Sequence, residues 1–259
     1  MTATPSSSPR PARRLARPEG GAIAYHKSEG RPPTVVFLTG LRSDMTGGKA
    51  LALEAHCQEC GQGFLRFDYR GHGESTGRFE ESVISDWLDD TLAVIDALTL
   101  GPLLLVGSSL GGWLMLRAAT ARPERVKGLV GIAAAADFTE ELMWQRLSED
   151  ERARLAHDGV LHLLSQYTAE PTTVSLALIE DGRKHLLLGA PIAFSGPARL
   201  IHGLADADVP FETSFRIAMR LRSTDVEIIL VKDGGHRLSE PPDLARLTRI
   251  VAALSSQLA

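Results

Sequence analysis

Gly107-Ser108-Ser109-Leu110-Gly111 is a G-x-S-x-G run between an apolar stretch, Leu103–Val106, and a helical one, Leu110–Ala121. A strand that turns sharply into a helix at such a run carries its central serine on a strained, exposed corner. There the hydroxyl can serve as a nucleophile. The glycines choose between the two serines. Ser109 has Gly107 and Gly111 on either side, whereas Ser108 has Val106 and Leu110 and reads as its packing neighbour. The five-residue pattern alone is weak; the strand–turn–helix setting favours a nucleophile over a plain turn.

A serine hydroxyl is a poor nucleophile near neutral pH, so it needs a base, and the base needs an orienting acid. Around such a corner the chain order is serine, acid, histidine. His202-Gly203-Leu204-Ala205-Asp206-Ala207-Asp208-Val209-Pro210 follows a strand-like stretch and offers two carboxylates. Asp206, nearer the strand end, is favoured as the acid. Asp208 reads as a helix cap or loop carboxylate, and Asp137, after another strand, is the weaker rival. Gly234-Gly235-His236 follows the apolar stretch Glu227–Val231, and its glycines let the loop carry the imidazole over Ser109. An oxyanion formed at the serine needs two main-chain donors. The amide of Leu110 is one. Thr39-Gly40-Leu41, after Thr34–Leu38, supplies the Leu41 amide as the other. Arg42 and Asp44 read as solvated loop charges. Apolar candidates to line the substrate pocket are Leu41, Met45, Trp113, Met143, Trp144 and Leu178, each of which reads equally as core. His72 lies in a glycine-rich turn, and His202 ends a strand and reads as a hydrogen-bonding partner of nearby backbone. The other histidines show no metal spacing, so neither a metal nor another cofactor is expected.

Strands and helices alternate around these residues. Ala22–Tyr25, Thr34–Leu38, Phe64–Phe67, Leu103–Val106, Val126–Ala133, Arg199–His202 and Glu227–Val231 read as strands. Lys49–Glu59, Ser82–Leu98, Leu110–Ala121, Glu212–Leu221 and Asp243–Leu258 read as helices. Ile84, Trp87, Leu88, Leu92 and Ile95 share one helical face. Such alternation predicts an α/β fold with a mostly parallel central sheet and helices on both faces. Residues 138–190 break the rhythm. Phe138–Arg146, Asp150–His157, Leu161–Gln166 and Thr173–Leu187 all read as helical, too long a stretch for a loop of ~4–6 residues. A helical lid over the sheet is the economical reading, with a second small domain as the alternative. Residues 20–137 and 191–259 then form the core, and 1–19, rich in Pro, Ser and Arg, a disordered tail.

The 259 residues suffice for one large domain, and 44% hydrophobic with 23% charged residues is ordinary globular usage. No apolar run reaches the ~18 residues that cross a bilayer. A net charge of −4 argues against general affinity for nucleic acid or anionic membrane. Two cysteines exclude a disulfide-dense scaffold. They form Cys57-Gln58-Glu59-Cys60, at the wrong end of a helix for a redox pair, and read as thiols in a reducing compartment. The tail lacks the apolar core of a secretory signal, and its four prolines oppose an amphipathic transit helix, so composition alone favours the cytoplasm.

Phe67-Asp68-Tyr69-Arg70-Gly71-His72-Gly73-Glu74-Ser75 is similar to the D-x-R-G-x-G-x-S turn of the α/β-hydrolase superfamily. With the serine corner, the Asp206 loop and His236, the resemblance spans residues 22–256. Val106–Leu116 with Ala121–Glu124, Arg66–Tyr69, Ser223–Val226 and Gly48–Ala52 also resemble the mitochondrial palmitoyl-protein thioesterases that act as acyl-glucuronide esterases. The resemblance implies an α/β-hydrolase fold, a Ser109–His236–Asp206 triad and hydrolysis of acyl thioesters or carboxylic esters. It implies a small-molecule ester, an acyl thioester or an S-acylated protein as partner, and a mitochondrial home in a eukaryote. Two alternatives stand beside it. One is an aminopeptidase, with Glu140, Glu141 or Glu180 anchoring the substrate amine. The other is a catalytically silent binding protein of the same fold.

Overall fold

The computed structural model describes residues 11–163 and 172–259. Among the described residues, ten strands and seven α-helices follow in chain order. The strands are β1 (Arg13–Ala16), β2 (Ala22–Ser28), β3 (Arg31–Leu38), β4 (Gln62–Phe67), β5 (Leu103–Ser108), β6 (Val126–Ile132), β7 (Val160–Leu163), β8 (Thr172–Ser175), β9 (Ala198–Gly203) and β10 (Val226–Val231). The helices are α1 (Gly48–Glu59), α2 (Ile84–Leu98), α3 (Leu110–Ala121), α4 (Glu149–Asp158), α5 (Leu176–Gly182), α6 (Glu212–Arg220) and α7 (Pro241–Leu258).

Eight strands form one sheet in the order β1-β2-β4-β3-β5-β6-β9-β10. The pairings β1–β2 and β2–β4 are antiparallel; every pairing from β4 to β10 is parallel. β5 is central and buried at every position, as its unbroken run of apolar residues requires of a strand covered on both faces. One face packs against α2 and α3, through Ile84, Trp87, Ile95, Trp113 and Leu114. The other packs against α1 and α7, through Leu53, Cys57, Leu247, Val251 and Leu254. Leu92, expected on the buried face of α2, is only partly covered. This architecture brings the C-terminal ends of β3, β5, β9 and β10 to one rim, where open parallel sheets gather their functional loops.

Two expectations need correction. The tail was expected to be disordered to residue 19, yet Arg13–Ala16 is an edge strand paired residue for residue with Ala22–Tyr25. Arg17 explains the order: its Nε and Nη2 donate to the buried carboxylate of Asp90, at 2.8 and 3.3 Å. A hydrophobic count cannot register an ion pair that reaches 73 positions along the chain. The second concerns the lid. Val160–Leu163 and Thr172–Ser175 pair as an antiparallel ribbon where helices were expected. The expected helix Thr173–Leu187 is shortened to Leu176–Gly182, with a 3-10 turn at Arg183–His185; positions 164–166 of the other lie outside the described residues. A second cluster of Leu147, Leu155, Leu161, Val174 and Ile179 fills the inside of the lid. Leu178, Leu187 and Leu188 belong instead to the main core, so the lid is fastened to the sheet domain.

Candidate active site

The serine corner is closed by backbone on all sides. Ser109 has φ 53° and ψ −117°, a conformation that side-chain-bearing residues adopt only at a cost. Its amide donates to the Ile132 carbonyl at 2.9 Å, and its own carbonyl accepts from the amides of Gly112 and Ala135. A Cβ on Gly107 would collide with the Gly111 carbonyl, and one on Gly111 with the carbonyls of Leu38 and Thr39. The two glycines are thus demanded by close approach of main chain to main chain. The strain is held because the corner has nowhere to relax.

His236 lies with Nε2 3.0 Å from Ser109 Oγ and Nδ1 2.8 Å from Asp206 Oδ2. An ionised carboxylate can only accept, so Nδ1 carries the hydrogen and Nε2 presents its lone pair to the Ser109 hydroxyl. The Asp206 loop is tied to the His236 loop through its backbone: Leu204 N–H donates to Val231 O and Ala205 N–H to Gly234 O. Asp206 Oδ1 accepts the amides of Asp208 and Val209, each at 2.9 Å. Burial alone would raise the Asp206 pKa. Hydrogen bonds from His202, His236 and the Val209 amide overcome it and hold the carboxyl well below the usual carboxylate range. Its side chain is fully buried while that of His236 keeps 22% exposure, so the anion sits behind the imidazole and away from water. Asp206, Asp208 and His236 each offer a ligand atom within 4.8 Å of the others. Asp206 and His236 already engage each other there through their 2.8 Å hydrogen bond.

Asp137, the rival acid, stands elsewhere. Its Oδ1 and Oδ2 accept the amides of Leu187 and Leu188, both at 2.8 Å, at the return of the lid into the core. Burial raises its pKa, against the lowering effect of those two amides.

Leu110 opens α3, so its amide belongs to the first turn, whose N–H groups lack helical partners. The turn carrying Leu41 abuts the serine: a Cβ on Gly40 would stand 3.5 Å from Ser109 Cβ. What holds that turn was not identified from the sequence. Asp68 accepts the Met45 amide on Oδ1 at 2.6 Å and the Glu74 amide on Oδ2 at 2.9 Å. The Tyr69 hydroxyl donates to Thr39 O, and the Arg42 amide donates to His72 Nε2, both near 3.2 Å. Burial pushes the Asp68 carboxyl up to about 6 and lowers the pKa of His72. The Asp68–Ser75 motif was visible in the sequence; its task of bracing the Leu41 turn needed the tertiary contacts. Arg42 is exposed, as expected, with its guanidinium 4.3 Å from the Phe79 ring centroid.

The expected substrate lining fares unevenly. Met45 and Trp113 are fully buried, and the Trp113 indole N–H donates to His185 O. Both are core, with no surface to offer a substrate. Leu178 is 4% exposed and also packs into the core. Leu41, Met143 and Trp144 keep part of their surface, although the Trp144 ring is flanked by the Arg152 and Arg183 guanidinium groups. None of these six borders the cavity of about 480 Å³ beside the serine corner, which is lined by polar residues including Thr39, Asp44, Lys49, Ser108 and Arg237. Burial and the neighbouring Arg237 lower the Lys49 ammonium to about 8. In the C-x-x-C, burial pushes the Cys57 thiol up to about 12, which suppresses the thiolate that redox exchange requires.

The model of the alpha/beta hydrolase fold family matches residues 33–178. The human protein named palmitoyl-protein thioesterase ABHD10, mitochondrial, is 42% identical over 245 residues, covering 94% of this chain and 80% of its own. Its namesake in Bos taurus is 40% identical over the same share of this chain and 80% of its own. The solved structure of mouse alpha/beta hydrolase domain-containing protein 10 superposes with a TM-score of 0.90 at 39% identity, covering 96% of this chain and 99% of that one. Among the described residues no helix is long and apolar enough to cross a membrane. A sheet with this strand order, a glycine-flanked serine at its central strand and this degree of likeness place the chain in the α/β-hydrolase family, alongside ABHD10.

Proposed function

We propose that this protein hydrolyses acyl thioesters or carboxylic esters, with Ser109 as nucleophile, His236 as general base and acid, and Asp206 as the orienting anion. The observation that carries this reading is the continuous hydrogen-bonded line from Ser109 Oγ through His236 to Asp206. As Oγ bonds to the acyl carbon, its proton passes to His236 Nε2. The oxyanion is received by the amides of Leu41 and Leu110. Collapse breaks the bond to the leaving sulfur or oxygen, which His236 protonates where needed. Water, deprotonated by the freed Nε2, then attacks the acyl-Ser109 ester, and collapse breaks the acyl–Oγ bond as Nε2 returns the proton to Ser109 Oγ, releasing the acid.

The ABHD10 relatives are named palmitoyl-protein thioesterases, which favours a long acyl chain and an S-acylated protein among the substrates. Leu41, Met143 and Trp144 are the apolar contacts assigned to that chain. Residence in a reducing compartment fits the two free thiols. The composition suggests the cytoplasm, and the relatives' names point to mitochondria. The aminopeptidase reading loses ground, because Glu140 is paired with Arg183 and Glu141 with Arg216. Replacing Ser109 with Ala is expected to lower turnover of acyl thioesters by about 1,000-fold or more, and to abolish labelling by a fluorophosphonate, with little change in Tm. Wild-type turnover in that variant would remove the proposal. A series of acyl thioesters of rising length tests the chain assignment, and indifference to length would overturn it.

A further inference from the structure

His202 is the penultimate residue of β9 and is completely buried. Its Nε2 lies 3.2 Å from Asp206 Oδ2 and 3.1 Å from the Val209 carbonyl; its Nδ1 lies 2.7 Å from Ser214 Oγ on α6. Two acceptors at Nε2 require the hydrogen there, which leaves Nδ1 to accept the Ser214 hydroxyl. The carboxylate of Asp206 then accepts three hydrogen bonds, and the His202 Nε2–H, shared with Val209 O, stands 3.2 Å from it as a fourth contact. Two amides hold Oδ1, and two imidazoles, those of His202 and His236, converge on Oδ2.

We infer that His202, anchored by Ser214, is a positioning residue for the reaction: its Nε2–H aims the Asp206 carboxylate and restrains its basicity toward His236. The inference rests on the triad reading above. The physical need is plain. An Oδ2 that accepted only from His236 would carry more negative charge and bind the imidazolium more tightly. A second donor on the same oxygen draws off part of that charge. The titratable groups facing this carboxylate are His202 on β9, His236 after β10, and Asp208 on its own loop. From α6 comes the uncharged Ser214.

His202→Asn and His202→Gln separate the roles. The Asn amide reaches the place of Nδ1 and keeps the contact with Ser214 but offers nothing to Asp206. The Gln amide nitrogen reaches the place of Nε2 and keeps the donor. For His202→Asn, kcat on a soluble thioester is expected to fall about 30-fold with KM within twofold, and the acid limb of kcat/KM to move up by about half a pH unit or more. For His202→Gln, kcat is expected to stay within about fivefold of wild type with an unmoved limb. Ser214→Ala removes one oxygen atom from the anchor and is expected to lower kcat about threefold to tenfold. An unshifted limb with near-normal kcat in His202→Asn, or equal damage from Asn and Gln, overturns the inference. Should His202→Asn fail to fold, wild-type kcat in Ser214→Ala overturns it instead. Turnover by Ser109→Ala would sink the triad itself; an active His202→Asn with an unmoved limb sinks this inference alone.

Discussion

The serine corner and the lid are built on opposite principles. The corner is main chain packed on main chain. Gly107 and Gly111 let β5, α3 and the Leu38–Thr39 segment touch with no side chain between them. The lid is held by side chains. Asp137 fastens its return, Asp181 accepts the Ser85 amide at 2.7 Å, and Arg183–Glu140 and Arg216–Glu141 pair near the surface. The difference teaches where variation can be absorbed. A corner made of backbone has one solution. A lid hung on side-chain tethers can change its contacts one at a time.

The contrast can be broken at the corner first. Gly111→Ala inserts a methyl into the carbonyls of Leu38, the last residue of β3, and Thr39, backbone atoms that cannot withdraw. A loss of about 3 kcal/mol or more is expected, read as a large drop in Tm or failure to accumulate folded. A variant of near-normal Tm would show that the corner is softer than described. The next effect is at the lid's buried tether. Asp137→Ala leaves the amides of Leu187 and Leu188 without acceptors, and should cost about 2–4 kcal/mol in denaturant titration. A cost under about 1 kcal/mol would mean that water replaces the carboxylate. The smallest effect is at the lid's rim. Glu141→Ala removes a two-pronged pair with Arg216, whose side chain is 47% exposed. It should cost less than about 1 kcal/mol, and the difference from wild type should vanish in 1 M salt. A larger, salt-independent loss would make the rim as rigid as the corner.

Legibility in the sequence follows the same division. α3 spans Leu110–Ala121, as its apolar pattern and the closing Arg122-Pro123 predict, and the strand core of β5 needed only its unbroken apolar run. The order serine, acid, histidine singled out Ser109, Asp206 and His236, whose side chains stand 3.0 and 2.8 Å apart along the line. The ribbon of β7 and β8 replaces expected helix, and the β-branched run Thr172-Thr173-Val174 is the strand signal the sequence carries there. Met45 and Trp113 were assigned to a pocket on residue type, and type cannot tell a core side chain from a lining one.

Composition and spacing alone determined a β/α chain with a glycine-flanked serine corner, because strand and helix periodicity, glycine sterics and chain order are local properties. Tertiary structure alone decided what His202, Asp68 and Asp137 do. Each acts through a partner or an amide brought near by folding, and the energy of a hydrogen bond depends on that geometry rather than on either residue's place in the chain.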